Sequence, residues 1–134
     1  MQISASLRIS GKELDPVEIT SVLRVAPYLT RRRGDVRVSS SGKEILSRVG
    51  LWTWKSENAS GTLTMNEIIT QLQVAFSHHY PALRDLPQAE QAWVDICIVK
   101  GDAGNADGAA EFMLDTNSTT ILHAIGLPVE FTVY

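Results

Sequence analysis

The stretch Gln91-Ala92-Trp93-Val94-Asp95-Ile96-Cys97-Ile98-Val99 decides the fold. It is apolar almost throughout, rich in β-branched and aromatic residues, and charged only at Asp95. A Gly-rich polar run, 101–109, follows it. An apolar run of this length bounded by a turn signal reads as an interior strand rather than a helix. Its composition predicts a central strand covered on both faces except around Asp95, with Ile96 and Ile98 in the core.

Working outward, residues 2–9 alternate, with Ile3, Ala5, Leu7 and Ile9 on one side and Gln2, Ser4, Ser6 and Arg8 on the other. That is the period of a half-buried strand. Asp15-Pro16 reads as the N-cap and first residue of a short helix carrying Ile19, Val22 and Leu23, ended before Pro27. Residues 28–34, with Arg31-Arg32-Arg33-Gly34, read as a loop. Short strands are expected at Val36–Val38, at 44–48 and at 51–54, the last with Trp52 and Trp54 on one face. Thr64-Met65-Asn66-Glu67 is a capping box, and Ile68, Ile69, Leu72, Ala75 and Phe76 recur behind it at helical spacing. The longest helix is therefore expected over 65–78. A strand is expected at 110–114. A third helix, capped by Asp115 or Asn117, carries Ile121, Leu122 and Ile125 and stops at Gly126. Val129, Phe131 and Val133 form a last strand. The expectation is one α+β domain over 1–134: an antiparallel or mixed β-sheet with two to three helices packed on one face.

At 134 residues, with 44% hydrophobic and 20% charged side chains, the chain is long enough and apolar enough to bury a core without a staple. Cys97 is the only cysteine, so no intramolecular disulfide forms, and the N-terminus lacks the basic start and apolar core of a signal peptide. No apolar run approaches the roughly 20 residues of a membrane span. The expected location is the cytoplasm. The net charge of −3 is unevenly spread. Residues 1–56 hold ten Lys/Arg against five Asp/Glu, and residues 57–134 hold two against ten. A folded molecule that keeps this segregation has a basic and an acidic side.

Candidate chemistry is sparse. His78 and His79 are adjacent near a helix end and point about 100° apart on a helix, which is poor geometry for one metal ion, and His123 lies far along the chain. In the Gly-rich run, aligning Asn105, Asp107 and Gly108 to calcium-loop positions puts Ala103 and Leu114 where ligands belong, so an EF-hand fails. No metal, cofactor or catalytic set is expected. Cys97 reads as an inert buried thiol and Trp93 as core. Arg31, Arg32 and Arg33, with Trp52 and Trp54, could serve an anionic ligand, although a short charge run is usually a solvated loop. The acidic whole and the lack of aromatic residues among the arginines argue against nucleic acid.

Taken in order, these features resemble the bacterial Domain of Unknown Function 4279 family. The resemblance rests on Ser6-Leu7-Arg8-Ile9, Leu14-Asp15-Pro16-x-x-Ile19-Thr20-x-x-Leu23 with Pro27 after it, and Gly34 behind a basic loop. It continues with Gly50-x-Trp52-x-x-x-Ser56, Asp95 to Val99, and a closing helix, Gly126 and strand ending in Tyr134. Trp54 and the three consecutive arginines depart from the usual pattern. The resemblance implies an α+β fold and a bacterial source, and it brings no catalytic residue.

The functional expectation is a non-catalytic protein-binding domain, an immunity protein that neutralises a basic bacterial toxin, such as a nuclease, by stoichiometric binding. Asp102, Asp107 and Glu111 are the expected partner contacts, since exposed carboxylates steer a basic partner. The alternative is a small-molecule or regulatory binding module using Arg31, Arg32, Arg33, Trp52 and Trp54. Neither reading involves nucleic acid or a membrane.

Overall fold

A computed structural model describes residues 2–100 and 111–134. The elements are β1 (Gln2–Gly11), α1 (Pro16–Leu23), β2 (Leu29–Arg31), β3 (Val36–Val38), β4 (Glu44–Leu46), β5 (Gly50–Lys55), α2 (Met65–Phe76), a 3-10 turn (Ala82–Arg84), β6 (Gln91–Val99), α3 (Thr116–Ile125) and β7 (Val129–Val133). Five strands form one mixed sheet in the order β2-β5-β1-β6-β7, and β3 with β4 forms a separate two-stranded ribbon. β1 runs antiparallel to both β5 and β6, and β2 is antiparallel to β5. β7 lies parallel to β6, because α3 carries the chain back between them.

Register assigns every side chain to a face. Opposite residues of paired strands share a face. Leu7 faces Trp54 and Val94, Ile9 faces Trp52, Ala5 faces Ile96, and Ile3 faces Ile98. This face holds the core, and all three helices pack on it: Ile19 and Leu23 of α1, Ile68, Ile69, Leu72 and Phe76 of α2, and Ile121 and Ile125 of α3 are buried against it. Ile96 and Ile98 are fully enclosed, as the apolar run requires, and β6 is an interior strand.

The caps follow the sequence. The Thr64 hydroxyl accepts from the Glu67 N–H while the Glu67 carboxylate accepts from the Thr64 N–H, both at 3.2 Å. Asp15 caps α1 and Asp115, rather than Asn117, caps α3. The Asn66 carboxamide binds α2 to α3. Its oxygen accepts from the Asp115 N–H (3.0 Å) and the Ser118 hydroxyl (2.6 Å), and its NH2 donates to the Met113 carbonyl.

Three expectations are corrected. Among the described residues, helices cover β6 on one face only: Trp93, Asp95 and Cys97 are half-buried on the other face and Val99 is exposed. The expected loop at 28–34 contains β2, a three-residue edge strand too short to show a period. Residues 111–114 form no strand, and residue 110 lies outside the described residues. Instead, Met113 and Asp115 are tied to Asn66 as described, which diverts the segment from the sheet.

Candidate functional site

The second face of the sheet carries Ser4, Ser6, Arg8 and Ser10 from β1, Thr53 and Lys55 from β5, Trp93, Asp95 and Cys97 from β6, Glu130 and Thr132 from β7, and Arg31 from β2. No described helix packs on this face. Its charges are ordered across the strands: Glu130 and Asp95 stand side by side on β7 and β6, while Arg8, Lys55 and Arg31 occupy β1, β5 and β2. Five strands at about 4.8 Å spacing place the acidic and basic edges roughly 19 Å apart. The Arg8 guanidinium lies over the Trp93 ring, 5.8 Å from its centroid, near the middle. The Thr132 hydroxyl donates to Asp95 at 3.3 Å.

The β7 edge is apolar on its helix-bearing side, where register sets Phe131 beside Ile96 and Val133 beside Ile98. Phe131 stacks on Phe112 with centroids 5.7 Å apart and planes within 16°. Both rings stay about 41% exposed, alongside exposed Val133 and Tyr134. Glu111 precedes this pair and is exposed. Among the described residues, no strand pairs with the outer side of β7.

A cavity of about 760 Å³ opens where β1 begins and β5 and β6 end. It forms because β2 pairs only with residues 51–53, leaving Trp54 and Lys55 to run on beside the connection from α1. Ser4, Cys97 and Val99 line it from the sheet, Tyr28 and Trp54 from the side, and Glu57 lies among its lining residues. The Lys55 ammonium sits 5.3 Å from the Tyr28 ring centroid.

The residues singled out from the sequence are distributed as follows. Trp52 is fully buried and its indole N–H donates to the Thr20 hydroxyl at 3.0 Å, so it offers no surface to a ligand. Trp54 shares its face, meets Phe76 edge-on at 5.3 Å and reaches the cavity. Arg31 is half-buried on β2, Arg32 pairs with Asp15 at 3.1 Å and Arg33 pairs with Glu13, and none of the three lines the cavity. Those ion pairs are exposed and contribute about 0–1 kcal/mol each. Asp102 and Asp107 lie outside the described residues. Cys97 is not an enclosed thiol but a half-buried one lining the cavity, and Trp93 is not core but lies beneath Arg8. Among the described residues, no three metal-ligating side chains come together. Sequence reasoning missed Tyr28, Lys55 and the Arg8–Trp93 pair. Only strand register brings Arg8 opposite Trp93, and nothing local in the sequence announces it.

Fold and face together define an α+β sheet domain whose described helices pack on one side of the sheet and whose other face carries an ordered set of charges. The whole chain, residues 1–134, matches the model of a domain of unknown function (DUF4279), and the protein belongs to that family. No curated protein and no solved structure gave a significant match.

Proposed function

We propose that this domain is a non-catalytic, stoichiometric protein-binding module, an immunity protein that neutralises a basic toxin in the bacterial cytoplasm. The observation that carries the reading is the charge order of the open face, with Glu130 and Asp95 on β7 and β6 and Arg8, Lys55 and Arg31 on β1, β5 and β2. A face of this kind selects an orientation as well as a partner, because complementary potentials steer association and penalise the reversed docking. Trp and Arg at the centre are the residue types that dominate binding energy when a partner desolvates them. The acidic half suits a toxin whose basic active site normally meets phosphate, and Glu111 and the exposed Phe112–Phe131 pair border it at the β7 edge. The helix-bearing face already holds the core, so binding through the open face requires no unfolding.

Co-expression with a toxin encoded beside the gene tests the reading. Wild-type protein is expected to restore growth, Glu111→Lys with Glu130→Lys to abolish protection, and Arg32→Ala with Arg33→Ala to retain it. The reading fails if no toxin gene adjoins, or if the folded charge-reversed variant protects as well as wild type.

A further inference from the structure

We propose that the cavity between β5 and the α1–β2 connection is a binding site for a small planar molecule carrying one negative charge, an aromatic carboxylate. This site centres on Tyr28 and Lys55, reaches Cys97 and Val99 of β6, and stands whether or not the domain is an immunity protein. Its volume of about 760 Å³ falls within the range of small-molecule sites, roughly 300–1,000 Å³. Val25, Pro27, Tyr28 and Trp54 supply apolar and aromatic wall, which a flat ring can cover. Lys55 supplies the charge: among the described residues its ammonium has no carboxylate within ion-pair distance, and it lies over Tyr28 instead. A carboxylate held there would gain a charge-assisted hydrogen bond next to the aromatic wall.

The other polar groups narrow the class. The Asn58 amide is already committed, its NH2 donating to the Ile3 carbonyl and its oxygen accepting from the Leu63 N–H, and the Ser56 oxygen accepts from the Ala5 N–H. The Ser4 hydroxyl, opposite Cys97 on the sheet, remains as a second polar contact. Glu57, also in the lining, repels anions in proportion to their charge, so a dianion such as a nucleotide phosphate is opposed more strongly than a monoanion.

Indole-3-acetate is a suitable probe, with neutral indole-3-acetamide and inorganic phosphate as controls. Amide resonances of Ser4, Tyr28, Lys55 and Cys97 should shift saturably with indole-3-acetate, with a Kd of about 1 mM or tighter. The acetamide should bind about tenfold more weakly, because a hydrogen bond to a charged group is replaced by a neutral one. Phosphate should not compete. Lys55→Gln and, separately, Tyr28→Ala should each weaken binding about tenfold; both residues are exposed, so the fold survives either change. Cys97, the only cysteine, gives an independent readout, since alkylation by N-ethylmaleimide should slow when indole-3-acetate occupies the cavity. Unsaturable shifts, equal binding of acetamide and acetate, or unchanged alkylation at saturating probe would each overturn the assignment.

Discussion

Tyr80 carries the one buried side-chain polar atom without a hydrogen-bond partner among the described residues, its hydroxyl oxygen. Burial pushes its phenol above the ordinary value of 10.0, because the phenolate would be desolvated. The unfolded chain ionises this group first as pH rises. Its contribution to stability is therefore complete below about pH 10 and falls as pH climbs through the folded value. Tyr80→Phe removes an unpaired hydroxyl and keeps the ring. Urea unfolding should show the variant at least as stable as wild type at neutral pH, with a shallower loss of stability above about pH 10. A cost above about 1 kcal/mol at neutral pH would mean that the hydroxyl has a partner after all. Gly11 and Gly50 face one another at the end of the β1–β5 ladder, and a Cβ on either would collide with a backbone carbonyl, that of Gln88 or of Leu14. Gly50→Ala should cost about 1–3 kcal/mol in the same assay, and a neutral result would show that the 11–14 turn yields freely.

At the level of elements, helix caps and alternating strands were legible because each signal lies within a few residues. Asp15-Pro16, the Thr64–Glu67 box and Gly126 all stand where the sequence put them. The core face of β6 was legible for the same reason, and Ile96→Ala should cost about 2–5 kcal/mol in denaturant melts, given its complete enclosure. The second face of β6 was not legible, because Trp93, Cys97 and Val99 are apolar and hide the period of two. β2 escaped notice since a three-residue edge strand is defined by its partner, β5, not by its own residues. Asn66 shows the limit most clearly. In the sequence it is merely the third residue of a capping box, yet it holds the α3 N-terminus and the Met113 carbonyl. Thr64→Ala should cost about 1 kcal/mol as a lost cap. Asn66→Ala should cost more, because the Ser118 hydroxyl, in a fully buried residue, loses its acceptor. Equal costs would mean that this link contributes little.

For the whole molecule, the uneven charge of the two chain halves becomes a spatial order because β2 and β5 come from the basic half and β6 and β7 from the acidic one, with β1 between. Topology could have mixed the two, as β1 itself shows by lying beside β6. The candidate interface was legible only as this imbalance; its geometry depends on a parallel β6–β7 pairing that sets Glu130 beside Asp95. If charge steers association, the rate of binding to the proposed toxin partner, measured by stopped flow against ionic strength, depends on salt. Raising salt from about 0.01 M to 0.1 M shortens the Debye length from about 30 Å to 10 Å, close to half the width of the sheet face. Association of the wild-type protein is expected to slow several-fold over that range, Glu111→Lys with Glu130→Lys to remove that slowing and lower the rate, and the melting temperature barely to change. A rate independent of salt, or a charge-reversed variant that associates as fast as wild type, would contradict steering by charge.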